Sequence, residues 1–262
     1  MSGSRLEIYK TNNYSIITDK RTNNANGRNG KTNLNEQVKQ DNKIRARRTN
    51  LNKAKNNIIR LIKCNPDMDI FITLTFREKE DYTTSKKHLN NFFNKLRKVQ
   101  KSLKYIWILE FGTKNKRIHY HVLTNIKIPA KIIFAGTNKK KSVAHKRFEN
   151  VFAQKFWKQG FVDIRRLDKN SNSNVALYVS CYITKDLLNQ TLNGYRIYGY
   201  SKKTLKKPII KTMYEDIPIE ELLEDLKMFY EITYTNSYDI GYTTKEGFEH
   251  KGIMTYVDLK SK

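Results

Sequence analysis

Acidic residues, cysteines and long hydrophobic runs are all scarce in this sequence of 262 residues. No stretch of about 18 apolar residues occurs, so the sequence predicts no membrane-spanning helix, and its polar N-terminal segment predicts no signal peptide. The two cysteines, Cys64 and Cys181, are too widely separated for a paired-cysteine zinc site and give no sign of a secreted disulfide framework. These absences predict a soluble, cytoplasmic protein with reduced thiols.

The shortage of acids leaves a large excess of positive charge. Lysine and arginine number 51 against 25 aspartates and glutamates, which gives a formal charge of +26. Solubility does not require so large an excess, and the usual partner of such a chain is a polyanion. The composition therefore predicts nucleic acid as the partner and no role at a membrane.

Uneven charge along the chain predicts three segments. Residues 1–63 read as a basic, partly disordered arm rich in Asn and Thr, with a helix near its end. Residues 64–212 can form one sizeable folded domain. Residues 213–262 read as an acidic extension, which we expect to act as a structural cap or partner surface because a DNA backbone repels acids.

Hydrophobic periodicity within the middle segment predicts alternating helices and strands. Strands are expected at 70–76, 105–111, 117–124 and 161–167, and helices at 84–103, 145–158 and 175–188. This order favours an α+β protein with a ferredoxin-like fold, in which helices flank a central, largely antiparallel sheet.

A histidine pair, His119 and His121, carries informative chemistry. In a strand the two side chains point to the same face, where their imidazoles can converge. If a hairpin pairs Phe111 with Ile118, Glu110 lies directly across from His119 on that face. Two histidines and a carboxylate with open positions suit Mg²⁺ or Mn²⁺. The alternative is two hydrogen-bonded histidines beside a surface glutamate.

A second group comprises Tyr178, Tyr182 and Lys185. At the spacing i, i+4 and i+7 these residues share one face of a helix, while aliphatic residues occupy the opposite face. Lys185 can stabilise phenolate or phosphate charge, and a metal nearby can neutralise a phosphate, which together permit a tyrosine nucleophile. The alternative is an ordinary structural pair of aromatic residues.

Three motifs occur in a fixed order: FITLTF at 71–76, HYH at 119–121 and YVSCYITK at 178–185. In these motifs, and in the position of Glu110, the chain resembles the HUH endonuclease superfamily. The similarity is to phage and plasmid rolling-circle replication initiators with paired tyrosines, and it extends over roughly residues 70–207.

This resemblance implies an HUH fold for residues 64–212 and a role for each matched side chain. A divalent metal, Mg²⁺ or Mn²⁺, would be held by Glu110, His119 and His121. Tyr182 would attack the DNA, with Tyr178 as the second nucleophile, and Lys185 would take the family's lysine position.

The activity implied by the resemblance is nicking and rejoining of single-stranded origin DNA through a 5′-phosphotyrosine intermediate. A helicase and a polymerase of the bacterial host cell would act as partners. Two other functions stay open: an HUH-type transposase, which would use the same chemistry with one tyrosine, and a noncatalytic nucleic-acid-binding protein, which needs only the charge and exposed aromatic residues.

A lysine cluster follows the tyrosine segment, at Lys202, Lys203, Lys206 and Lys207. We expect it to form a loop that follows the DNA backbone. The alternative is an ordinary solvated run of charge.

Overall fold

The computed structural model of the chain describes residues 4–10, 14–21, 36–112, 117–129, 140–167, 175–184, 195–215, 219–243 and 249–262. Its strands are Ser4–Lys10 (β1), Tyr14–Arg21 (β2), Ile70–Phe76 (β3), Tyr105–Phe111 (β4), Ile118–Thr124 (β5), Gly160–Arg166 (β6), Tyr198–Tyr200 (β7), Ile209–Glu215 (β8), Tyr230–Thr243 (β9) and Glu249–Ser261 (β10). Its helices are Glu36–Lys63 (α1), Tyr82–Val99 (α2), Val143–Phe156 (α3), Val175–Thr184 (α4) and Ile219–Lys227 (α5). Two units result, Ala54–Lys206 on the one hand and Met1–Lys53 with Lys207–Lys262 on the other.

The Ala54–Lys206 unit contains a five-stranded sheet in the order β6-β3-β5-β4-β7, with every neighbouring pair antiparallel. Helices flank this sheet, so the predicted α+β class with a ferredoxin-like arrangement is confirmed. The predicted strands agree with β3, β4, β5 and β6 to within one residue at each end.

One face of this sheet forms the main hydrophobic core. Alternate residues of β3, namely Ile70, Ile72 and Leu74, are almost completely buried there because successive strand side chains point to opposite faces. They belong to one cluster with residues of α2 and α3, among them Leu89, Phe92, Phe93, Leu96 and Phe152. The side chains of the other sheet face are therefore available for a site.

Capping residues set the start of both core helices. Asp81 accepts a hydrogen bond from the backbone N–H of Thr84 at 3.0 Å before α2, and Ser142 does the same for His145 at 3.1 Å before α3. Such caps satisfy N–H groups that have no partner within the helix. Helix α2 ends at Val99, earlier than the predicted residue 103. Among the helices of the described residues, none has both the length and the apolar character needed to cross a membrane.

The Met1–Lys53 and Lys207–Lys262 segments together form the second unit. Its sheet has the order β8-β1-β2-β10-β9, again antiparallel throughout. Leucines of α5, Leu222, Leu223 and Leu226, pack against Val257 and Leu259 of β10. This arrangement differs from the separate basic arm and acidic extension that the charge pattern predicted, since strands from both segments pair with one another.

Candidate active site

The hairpin of β4 and β5 has the register that the sequence predicted. Phe111 pairs with Ile118, and Glu110 pairs with His119. His121 lies two residues further along β5, opposite Ile108, and so points to the same face of the sheet. The structure therefore places all three predicted metal ligands on one face, opposite the main hydrophobic core.

His121 is held on two sides. Its Nδ1 atom is hydrogen-bonded to the Thr73 hydroxyl of β3 at 3.2 Å, and its Nε2 atom contacts a carboxylate oxygen of Glu110. The imidazole is 6% exposed. Because both ring nitrogens have partners, the orientation of this ring is fixed.

His119 is fixed by a similar contact one pleat further along. Its Nδ1 atom is hydrogen-bonded to the Thr75 hydroxyl at 3.0 Å, while its Nε2 atom lies where a side chain at Gly112 would otherwise be, 2.8 Å from an ideal Cβ position. Burial, and secondarily the nearby His121, lowers the pKa of His119. The lowered pKa favours the neutral imidazole, which is the form that binds metals.

The donor set has the chemistry of a metal site, but its three members do not converge on one point. Within the described part of the chain, no three His, Cys, Asp or Glu side chains are arranged to hold a metal ion. Glu110 and His121 instead contact each other directly. The assignment of Glu110, His119 and His121 as ligands of Mg²⁺ or Mn²⁺ thus stays a prediction.

Helix α4 brings Tyr182 directly to this group. The Tyr182 ring lies 4.0 Å from the His121 ring between centroids, and 5.6 Å from Phe71, with which it stacks. Burial raises the pKa of Tyr182, and a hydrogen bond to Tyr178 raises it further. Deprotonation of this phenol therefore requires positive charge close to its oxygen.

Tyr178 lies one helical turn before Tyr182 and further out. The Tyr182 hydroxyl donates a hydrogen bond to the Tyr178 hydroxyl at 3.1 Å, which confirms that the two phenols share one helix face. Tyr178 is 42% exposed, and its ring meets Phe71 edge-on at 5.5 Å. Lys185, the third predicted member of this group, falls outside the described residues.

Four contributors to this face had not been singled out as site residues. Thr73 and Thr75 orient the histidines, Phe71 supports both tyrosines, and Gly112 leaves room for the His119 ring. A signal for three of them was present, because Phe71, Thr73 and Thr75 alternate along a predicted strand and so share a face. Their contact with the histidines depended on strand order, which the local pattern does not contain.

The predicted lysine loop lies between β7 and β8. Lys202, Lys203, Lys206 and Lys207 are all exposed. Ordered contacts hold the loop itself: Asn65 accepts a hydrogen bond from the backbone N–H of Lys206 at 3.0 Å and donates one to its carbonyl oxygen at 2.9 Å. The four ammonium groups are thus presented to solvent from a fixed backbone.

Together these features define an α+β domain that carries two histidines, a carboxylate and paired helix tyrosines on one face of an antiparallel sheet. Residues 69–187, which include all of these side chains, match a family model for the replication-associated protein ORF2. Replication-associated protein ORF2 of Spiroplasma virus 4 is 28% identical over a match that covers 48% of this chain and 41% of that protein. The match thus spans less than half the length of that relative. No solved structure matches the chain significantly. Both similarities support a replication-initiator family.

Proposed function

We propose that the chain is a replication initiator of the HUH endonuclease kind, which nicks and rejoins single-stranded DNA at an origin for rolling-circle replication. The observation that carries this proposal is the contact of Tyr182 with His121, whose imidazole also contacts Glu110. A nucleophile, an oriented imidazole and a carboxylate thus meet in the segment that is similar to replication-associated proteins.

The proposed step is a transfer of the DNA phosphate to tyrosine. The Tyr182 oxygen attacks the phosphorus, the bond from phosphorus to the 3′ oxygen breaks, and the 5′ phosphate stays on the enzyme as a phosphotyrosine. The phenol proton leaves to solvent, and the departing 3′ oxygen takes up a proton. Since a phosphodiester is exchanged for another phosphodiester, a 3′ hydroxyl can reverse the step and rejoin strands without ATP.

Glu110, His119 and His121 would hold a divalent metal, Mg²⁺ or Mn²⁺. Support for this comes from Thr73 and Thr75, whose hydroxyls engage the Nδ1 atoms of the histidines and leave the Nε2 atoms as the ligating positions. When bound, such an ion would neutralise charge on the scissile phosphate. The side chains themselves orient the phenol and exclude water from the inner side of the Tyr182 ring.

Paired tyrosines suit repeated cleavage rather than a single nick. One tyrosine would keep the 5′ end of the old strand while the other cleaves after a full circle, and the hydrogen bond between Tyr182 and Tyr178 keeps both within reach of one phosphate. The released 3′ hydroxyl would prime a host polymerase, and a host helicase would unwind the template. Lys202, Lys203, Lys206 and Lys207 would follow the DNA backbone.

The test is incubation of the protein with circular single-stranded DNA and Mn²⁺, followed by a denaturing gel. We expect a linear strand that migrates freely only after protease digestion and that a polymerase can extend from its 3′ end. Binding without a covalent product, unaffected by chelator, would instead identify a noncatalytic nucleic-acid-binding protein. Adducts on a single tyrosine, with transposon-end hairpins as preferred substrate, would identify a transposase.

A further inference from the structure

Strand β6 carries an arginine at the tyrosine end of the site face. Arg165 pairs in register with Phe71 of the neighbouring β3, and the Phe71 ring contacts both Tyr178 and Tyr182. Residues paired across antiparallel strands project from the same face. Arg165 therefore projects from the face that carries the two tyrosines.

An acid on the same strand fixes the direction of this guanidinium. Arg165 donates from Nε to one carboxylate oxygen of Asp163 at 2.8 Å and from Nη2 to the other at 3.2 Å. Lys141 in turn donates to Asp163 at 2.8 Å and to Glu149 at 2.6 Å. A two-point contact of this kind orients a guanidinium more firmly than a single hydrogen bond. It also leaves the N–H donors of Nη1 outside the ion pair.

Arg165 is close enough to Tyr178 for the two groups to interact electrostatically. Hydrogen bonding to Asp163 raises the pKa of Arg165, and the neighbouring Tyr178 contributes in the same direction. The Arg165 side chain is 26% exposed, so a phosphate from solvent can reach it. Glu110 and His121, by contrast, lie by the inner phenol, Tyr182.

We propose that Arg165 binds the phosphate that reacts with Tyr178, so that the two tyrosines have separate electrostatic partners. The inference rests on the proposed function. When the Tyr178 oxygen bonds to phosphorus and the bond to the 3′ oxygen breaks, the guanidinium stabilises the charge on the non-bridging oxygens and is itself unchanged. The phenol proton leaves to solvent, and the 3′ oxygen takes up a proton.

Two backgrounds separate the tyrosines in the test. In Tyr182→Phe only Tyr178 can form an adduct, and in Tyr178→Phe only Tyr182 can. Into each we would introduce Arg165→Ala and Arg165→Lys, and measure the rate of adduct formation on circular single-stranded DNA with peptide mapping. The matched control is Arg166→Ala, which removes the same charge from the next residue of β6, on the opposite sheet face, where it pairs with Asp69.

We expect Arg165→Ala to slow the Tyr178 adduct by about 100-fold and to leave the Tyr182 adduct nearly unchanged, as Arg166→Ala should leave both. Arg165→Lys keeps the charge without the fork geometry and should restore part of the rate. An equal loss in both backgrounds would indicate a structural role and overturn the inference, as would no loss in either or no Tyr178 adduct at all. Absence of any adduct from the unmodified protein would overturn the proposed function as well, so the two failures are distinguishable.

Discussion

The phenol ring of Tyr182 lies against the imidazole of His121, with ring centroids 4.0 Å apart. Tyr178 lies outside this contact, more exposed, and is connected to it by the hydroxyl of Tyr182. The two tyrosines are therefore not equivalent. One meets the predicted metal ligands, and the other meets solvent and the β6 edge of the site.

This asymmetry predicts which tyrosine reacts first. We expect Tyr182→Phe to remove most of the initial covalent adduct, whereas Tyr178→Phe still nicks but fails to complete repeated rounds of cleavage and joining. Phenylalanine keeps the ring and its contacts with Phe71 while it deletes the attacking oxygen. Peptide mapping of the DNA-linked protein is the measurement. An adduct confined to Tyr178 would reverse the order, and an adduct on neither tyrosine would reject the mechanism.

A second prediction separates catalysis from binding at the histidine group. His121→Ala and Glu110→Gln should each reduce nicking by at least about 100-fold and leave most of the DNA affinity, since dispersed lysines and arginines supply that affinity. Glu110→Gln keeps nearly the same shape beside His121 and so serves as the milder variant. Nicking would be measured with Mn²⁺ and binding with chelator. Full cleavage by His121→Ala in chelator would contradict the metal assignment.

Gly112 offers a third prediction, because it determines the space for His119. A Cβ added there would lie 2.8 Å from the His119 Nε2 atom, so Gly112→Ala must displace the ring or bend the end of β4. We expect nicking to fall by about 10- to 100-fold, as expected for misplacement of a group at the site.

The control for Gly112 is Gly160→Ala. There the added Cβ would lie 2.2 Å from the Thr75 carbonyl oxygen and 2.6 Å from the Arg77 nitrogen, which are backbone atoms that cannot rotate away. That variant should lower the free energy of unfolding by about 2 kcal/mol or more, while Gly112→Ala changes it less. Urea unfolding measures both. A Gly112→Ala protein with full activity would show that the position of the His119 ring does not matter.

Local pattern was enough to predict much of the site. The pairing of Glu110 with His119 followed from a short hairpin, because a short connection and a buried face fix the register of two strands. The shared face of Tyr178 and Tyr182 followed from helical spacing alone. Both relationships join residues that are close in sequence.

Relationships between distant segments could not be predicted in this way. That β3 lies between β5 and β6, and so brings Thr73 to His121 and Arg165 to Phe71, is a matter of strand order. The second sheet is a stronger case, since β2 pairs with β10 from the far end of the chain. The high charge of the first segment and the acidity of the last also obscured the alternation typical of strands.

Lys86 of α2 gives a prediction about pH and stability. Its ammonium lies 3.4 Å from the centre of the Trp107 ring, and burial, assisted by the nearby Arg196, lowers the pKa of Lys86 from 10.5 to about 8. A folded-state pKa below the unfolded value means that the unfolded chain holds more protons between these two pH values, so stability rises with pH across that window. Below about pH 8 the charged form is carried at a cost in the folded state.

Lys86→Met should remove this dependence. Urea unfolding of the unmodified protein and the variant, compared from about pH 7 to about pH 10.5, should show the unmodified protein gaining stability relative to the variant as the pH rises. Lys87→Met, at an exposed position one residue on, is the matched control and should track the unmodified protein. A constant difference between Lys86→Met and the unmodified protein would mean that the cation–π contact with Trp107 offsets the burial.

The last prediction concerns the lysine loop, Lys202, Lys203, Lys206 and Lys207. Replacing all four with alanine should weaken binding of single-stranded DNA and reduce the salt dependence of the affinity by about 0.7 for each lysine that touches a phosphate. The loop backbone should survive the change, because Asn65 holds Lys206 through main-chain atoms and Leu205 is buried. The matched control removes four lysines from the surface between α2 and β6, at Lys95, Lys98, Lys101 and Lys158. Since both variants lose the same charge, an equal change in the slope of log affinity against log salt would reflect only the net charge of the protein. A smaller slope in the loop variant alone would assign the DNA path to this loop, and an unchanged slope there would make it ordinary surface.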